Sequence, residues 1–340
     1  MRKKGLLSML VLTLGLSLFV LGCGRGTDQG LNHQANKPTD QQQYGTPDSI
    51  IIATGGTSGT YYSLGAGIAK IFTEKAQVNA SVQSTSNSIE NMRVIKKRQV
   101  DLALTKGDIA DYASKGVNMF KESGAIKNLK VIASLYNETI QIVVAKNSTI
   151  RTIQDLKGKR VAIGAFNSGI EANAEQLLEI YGIKFSDLGK TEYLDFGEAS
   201  SHLQDGSIDA AFITAPAPIA AVNELAITKG IRIIGLDAEH MKQLIQKYPY
   251  YVEQPILKGT YPGFDQEVQT VAVKTQLVAR SELDEAMVYH LTKTLFENLD
   301  QMKKIQKQAE QIKLETALEG VSLELHSGAV KYYQEKGIKK

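Results

Sequence analysis

Four times in this chain an apolar, β-rich run ends in a loop of small polar residues that opens directly into a segment with helical spacing. The first instance is "IIATGGTSGTYYSLGAGIAKIF", residues 51–72. Ile50 to Ala53 reads as a strand and "TGGTSGT" (54–60) as the loop. Leu64, Ile68, Ile71 and Phe72 then follow at i, i+4, i+7 and i+8, the spacing of one helical face. The other loops are "QSTSNS" (83–88), "GAFNSG" (164–169) and "TAPAP" (214–218). Strands alternating with helices imply parallel sheets and an α/β fold. In such sheets these loops gather at the carboxyl ends of the strands, where ligands bind.

The N-terminus bears on location. Arg2, Lys3 and Lys4 precede an almost wholly apolar run from Leu6 to Leu21, and "VLGC" closes it at Cys23. A basic start, a short apolar stretch and a small residue before the cut describe a secretory signal, here residues 1–22. The run is short for a stable membrane span. Cys23 is the only cysteine, so no intrachain disulfide is possible. The segment resembles a bacterial lipoprotein signal, in which the cysteine after Gly22 is lipidated and becomes the first residue. Leu21 departs tolerably from the usual small residue. The bland alternative is an uncleaved anchor helix with an incidental cysteine. Residues 23–47 are polar and lack an apolar period, as a flexible tether would. The formal net charge is +3, and loss of Arg2, Lys3 and Lys4 with the signal brings that count to zero. A near-neutral mature chain has no large basic field for nucleic acid.

Further strands and helices follow from pattern. Val78, Ala80 and Val82 alternate; Ile89, Met92 and Ile95 lie on one helical face, with Asn87 a candidate cap and Glu90 three residues on. "VDLALTKGD" reads as a strand ending at Lys106. Ala174, Leu177, Leu178 and Tyr181 mark another helix, with Gly182 just past its end, and Pro218 suits a first helical turn. Glu285 to about Ile338 reads mostly as charged amphipathic helix. Two runs, 131–148 and 268–283, are unusually long for strands of one sheet. They bracket the middle of the chain and predict a discontinuous first lobe, 48–138 plus 268–340, with 139–267 inserted as the second.

Two of the loops belong to each lobe, so facing lobes would enclose a cleft lined by uncharged donors and helix N-termini, suited to a small carboxylate. Candidate ligand-holding residues are Gly56, Thr57, Ser58 and Gly59 in the first loop, Ser88 in the second, Asn167, Ser168 and Gly169 in the third, and Ala215 and Pro216 in the fourth. Any one loop, taken alone, reads equally as ordinary helix capping. Lys106 ends a strand at the same edge. It is either a cation for a ligand carboxylate or a solvated partner of Asp108. Tyr61 and Tyr62, being adjacent, point different ways: one into the core, the other over the cleft.

Enzyme readings fare worse. "GGTSGT" lacks the Lys of a P-loop and the spacing of a nucleophile elbow. "GAG" (65–67) sits inside a helix pattern, where close packing explains it better than a dinucleotide. His33, His202, His240, His290 and His326 are scattered without metal-ligand spacing, so no cofactor or metal is expected. A secreted hydrolase using Ser58 remains an alternative, though a serine nucleophile needs a paired base. An adhesion or structural lipoprotein is another.

The stretches "STSNSIENMRVIKKRQVDLAL", "DLKGKRVAIGAFNSGIEANAEQLLEIYGI", "DGSIDAAFITAPAP" and "YPYYVEQPILKGTYPGFDQEVQTVAV", together with the opening loop, resemble the TAXI family, solute-binding subunits of TRAP (tripartite ATP-independent periplasmic) transporters. The resemblance covers nearly all of residues 50–300. It implies a two-lobed, periplasmic-binding-protein-like (type II-like) α/β fold, the ligand between lobes joined by hinge strands. It further implies small carboxylate ligands such as glutamate or 2-oxoglutarate, and membrane partners driven by an ion gradient. The matching positions are Thr57, Ser58 and Tyr61, then Asn91, then Ser168 and Gly169. Two departures stand out. The family usually has Gln near Lys106, and Gly-Ser-Gly-Thr-Glu where this chain has Asn167-Ser168-Gly169-Ile170-Glu171. An added cation and a lost hydroxyl imply a shifted ligand preference.

Overall fold

A computed structural model describes residues 49–57 and 59–339. The expected signal, the tether and Cys23 lie outside the described residues, as does Ser58. In the first half of the chain β1 (Ser49–Ala53), α1 (Thr60–Lys75), β2 (Asn79–Gln83), α2 (Ser88–Lys96), β3 (Leu102–Lys106) and α3 (Gly107–Lys115) alternate. The long β4 (Leu129–Ala145) leads into β5 (Arg160–Ala162), α4 (Gly169–Ile180), β6 (Lys190–Glu192), α5 (Phe196–Asp205), β7 (Ala210–Ala215), α6 (Ala220–Thr228), β8 (Ile231–Ile234), α7 (Ala238–Lys247) and β9 (Tyr251–Glu253). A second long strand, β10 (Val271–Arg280), returns the chain to α8 (Glu285–Glu297), α9 (Leu299–Ile305) and α10 (Ser327–Glu335).

The strands form one sheet in the order β2-β1-β3-β10-β4-β7-β5-β6, with β8 on β4 and β9 on β10. β1, β2 and β3 are mutually parallel, as are β5, β6 and β7. β4 pairs with β10 over Leu129–Thr139, then with β7 and β8 over Thr139–Ala145. β10 pairs with β9 at its start and with β3 towards its end. The two long strands therefore pair with each other and join the groups, β10 bordering the first through β3 and β4 the second through β7. β10 is antiparallel to β3 and to β4, and β4 is antiparallel to β7. The two parallel groups consequently aim their carboxyl ends at each other. Lys106, at the end of β3, pairs with Thr275; Ala215, at the end of β7, pairs with Thr139. The strand-to-helix loops of both groups thus converge over the middle of β4 and β10.

Local rules account for most elements. α1 buries Leu64, Ile68, Ile71 and Phe72 against β1, β10 and α8. Gly65 packs so closely that a Cβ there would fall 2.3 Å from Thr54 Cγ2, which explains "GAG" by packing. Asn87 caps α2, its Oδ1 accepting from the Ile89 and Glu90 amides. Gly182, at φ +67°, ends α4 just beyond Tyr181. One expectation needs correction. Pro218 does not enter a first helical turn: it follows a cis Ala217–Pro218 bond, and α6 starts at Ala220. The C-terminal stretch is mostly helix, as expected, but with one long interruption. Between α9 and α10 the chain runs largely irregularly beside β4, where Ser134 N bonds to Ala317 O and Val131 N to Glu324 O. Apolar periodicity alone did not distinguish this half-buried strap from a helix.

Candidate functional site

Where the two sets of loops meet, a cavity of about 610 Å³ opens. Its walls combine Gly55, Gly56, Gly59, Thr60 and Tyr61 with Ser86, Asn87 and Ser88 from one side. Ile170, Phe196, Thr214, Ala215, Pro216 and Pro218 close it from the other. The N-termini of α1 and α2 face it; α1 has no side-chain cap, whereas the Ile89 and Glu90 amides of α2 already donate to Asn87. Lys106, Tyr136 and Glu138 form the floor.

The floor is a polar cluster set within apolar strands. Glu138 lies on β4 and Thr275 beside it on β10, where the register shifts. Glu138 Oε1 accepts from the Thr275 hydroxyl at 3.1 Å and from Tyr136 OH at 3.3 Å. Glu138 is only 8% exposed, and burial pushes its carboxyl above the ordinary range, with the nearby Lys106 charge partly offsetting this. Tyr61 OH sits 3.3 Å from Ser88 Oγ, and its ring meets Tyr136 edge-on at 6.5 Å. Burial, and next the Glu138 charge, keep both tyrosine hydroxyls protonated, so they act as hydrogen-bonding groups and not as charges. The Lys106 side chain, 11% exposed, reaches to 4.0 Å from Asp108 Oδ2. Asp108 is buried and also accepts from the Ile109 amide and from Asn173 Nδ2, both at 2.8 Å. Lys106 therefore both lines the cavity and approaches Asp108; the two readings of this residue combine.

Of the sequence candidates, Gly56, Gly59, Tyr61, Ser88, Lys106, Ala215 and Pro216 line this cavity. Gly169 stands directly behind it: a Cβ there would lie 2.6 Å from Lys106 Nζ and 3.0 Å from Ile109 Cδ1. Thr57 is exposed and outside the lining. Ser168 caps α4, its Oγ accepting from the Glu171 amide at 3.2 Å. Asn167, at φ +57°, borders a smaller crevice with Phe166, Asn87 and Arg93. Asn91 is fully buried away from the cavity: its Nδ2 donates to Thr54 O at 2.5 Å and Leu104 O at 2.6 Å, and its Oδ1 accepts from Thr85 at 2.6 Å. It ties the ends of β1 and β3 together and holds the loops in place. Of the adjacent tyrosines, Tyr61 lines the cavity, whereas both it and Tyr62 are half-buried, neither one a core residue.

Sequence reasoning passed over Tyr136, Glu138 and Thr275. A signal existed: charged or hydroxyl residues interrupt two long apolar strands, at "YNET" and "KTQ". Such interruptions mark where a strand passes under a cavity.

The position of Gly169 gives a test. Gly169→Ala should push the Lys106 ammonium aside and weaken binding of an anionic ligand on the order of tenfold, with the fold retained. Titration calorimetry beside a circular-dichroism melt checks it.

A larger hollow, about 820 Å³, lies between α3 and α4, lined by Tyr112, Gln176, Tyr248 and Tyr250 among others. Its inner polar groups already bond one another, Gln176 Nε2 donating to Tyr112 OH at 2.6 Å and to Tyr250 OH at 2.8 Å. The cavity at the strand ends keeps polar groups uncovered and is the better candidate. Among the described residues, no three His, Cys, Asp or Glu assemble as a metal site, and no helix is long and apolar enough to cross a membrane.

The fold is that of known two-lobed binding proteins. The periplasmic aliphatic sulphonate binding protein SsuA of Escherichia coli superposes with a TM-score of 0.50 at 16% identity, covering 85% of this chain and 84% of that one. PhnD1 of Prochlorococcus marinus, solved in complex with methylphosphonate, gives 0.53 at 14% identity, covering 86% of this chain and 99% of that one. At these identities the likeness concerns the fold: a mixed α/β, two-lobed, periplasmic-binding-protein-like architecture. Residues 52–337 match the NMT1-like family, and the chain belongs to that family.

Proposed function

We propose that this protein is an extracytoplasmic solute-binding protein, without chemistry of its own, that captures a small carboxylate and delivers it to a membrane permease. One observation carries the reading. Helix-opening loops from two oppositely directed parallel groups converge on one cavity with an ammonium, Lys106, at its floor. Uncharged amides and hydroxyls hold one carboxylate, and Lys106 adds a full charge. The course of β4 and β10 supports lobes of 48–138 plus 268–340 and 139–267, with these strands as the hinge. The TRAP type of permease, and glutamate or 2-oxoglutarate as the kind of ligand, rest on the TAXI resemblance of the sequence. A hydrolase using Ser58 is disfavoured because none of the described histidines lines the cavity to serve as base.

A thermal-shift screen of amino acids, keto acids and dicarboxylates tests the ligand class. A ligand at a hundred times its Kd should stabilise the fold by about 2.7 kcal/mol. No shift with any of them removes the small-carboxylate reading. Membrane attachment is tested separately. Cys23→Ser should release the protein into the soluble fraction, because one lost acylation site removes every lipid chain. Retention of the variant on membranes after a salt wash would overturn the lipoprotein assignment.

A further inference from the structure

We infer that Asn173, which does not itself line the cleft, is a positioning residue: it engages the carboxylate of Asp108 and so keeps the Lys106 ammonium available to a ligand. The inference rests on the solute-binding reading above and adds a residue to it. Lys106 Nζ stands 4.0 Å from Asp108 Oδ2. That is close enough for attraction between charges and too long for a hydrogen bond. Among the described residues no hydrogen bond takes up the Nζ protons. Asp108 is fully buried, and each of its oxygens already holds a short bond. Oδ1 accepts from the Ile109 amide and Oδ2 from Asn173 Nδ2, both at 2.8 Å. An N–H on Oδ2 takes part of that oxygen's charge and weakens its pull on Nζ.

One face of α4 spaces the pair. Gly169 and Asn173 lie one turn apart. Gly169 stands beside Nζ, where a Cβ would come within 2.6 Å, and Asn173 stands at Oδ2. Asn173 is itself fully buried and held in one orientation. Nδ2 gives its second proton to Tyr251 OH at 2.9 Å, and the Tyr251 proton goes to Gln176 Oε1 at 2.8 Å. Oδ1 accepts from Thr214 Oγ1 at 3.1 Å. A flipped amide would set oxygen against the Asp108 carboxylate. Thr214 lines the cavity, as Lys106 does, so a chain of polar groups runs behind the site from wall to floor. Without Asn173, Nζ can close onto Oδ2 by about 1 Å and form a charge-assisted hydrogen bond there, which a ligand must then break.

Acetylation of Lys106 by acetic anhydride in the ligand-free protein, followed by mass spectrometry of the Lys106 peptide, tests the placement. An amine reacts only once it sheds its proton, and a carboxylate in contact holds that proton. Asn173→Leu keeps the volume and removes both polar atoms; it should slow labelling about threefold or more. Asn173→Ser keeps a hydroxyl for Thr214 but withdraws the donor from Asp108, and should slow labelling likewise if leucine disturbs folding. Unchanged or faster labelling, in a variant with the circular-dichroism spectrum of wild type, overturns the inference, since a merely loosened site exposes Lys106. Titration calorimetry with 2-oxoglutarate and L-glutamate is the second arm. Asn173→Leu should weaken whichever binds about fivefold or more, but less than about twofold further in a Lys106→Gln background. Equal losses in both backgrounds also overturn the inference. Slowed labelling with no binding of either probe upholds the role of Asn173 and removes those two ligands from the function proposed above.

Discussion

Asn91→Ala should lower the melting temperature of the ligand-free protein by roughly 5–15 °C. The side chain is fully buried and bridges Thr54 O and Leu104 O, the backbone carbonyls at the ends of β1 and β3. Truncation removes the side-chain donor of Leu104 O, at about 1–3 kcal/mol, and leaves Thr54 O with the Thr85 hydroxyl, at somewhat less. For a chain of this size each kcal/mol shifts the midpoint by about 2–4 °C. Thr85 loses its acceptor as well, although its hydroxyl also bonds Thr54 O at 3.0 Å. Calorimetry without ligand measures the shift. An Asn91 that served mainly to contact ligand would leave the apo melt nearly unchanged while affinity fell. A shift under about 2 °C would therefore contradict the clamp role.

Lys106→Gln should weaken binding of an anionic ligand about 10- to 100-fold, because a charge-assisted hydrogen bond in a partly dry site contributes about 1.5–3 kcal/mol. The loss has a second source. Without Lys106, Asp108 and Glu138 confront each other and the ligand carboxylate with no cation between them. A dicarboxylate should lose more than a zwitterion, whose own ammonium partly replaces Lys106. Titration of wild type and Lys106→Gln with the best ligand from the screen measures this. Equal affinities would mean that Lys106 serves only its acidic neighbours, and would return the binding energy to the amides around Gly56 and Gly59.

Much of the fold was legible because it is local. Helical spacing located the buried face of α1, Asn87 announced the start of α2, and Gly182 the end of α4. The lengths of the runs containing β4 and β10 signalled the two strands that join the parallel groups. The site was half legible. Loop composition pointed to Gly56, Gly59, Ser88, Ala215 and Pro216, since small polar residues that open a helix leave amides uncovered. Direction was not legible. Asn91 sits on a helix whose exposed and buried faces both carry polar residues, and only the approach of Thr54 and Leu104 turns it inward. Glu138 and Thr275 are far apart in sequence and meet through the antiparallel pairing of β4 and β10. Ser168 and Asn167 satisfied the composition rule but were used to start α4.

The central claim is that ligand binds over the middle of β4 and β10, where the loops meet. Hydrogen–deuterium exchange with the best carboxylate at saturation tests it most directly. Protection should appear in the amides of 55–61, 84–90 and 214–220, and around Glu138. It should be weak in the hollow between α3 and α4, around Tyr248 and Tyr250. Protection confined to that hollow, with the strand-end loops exchanging as in the free protein, would contradict the account.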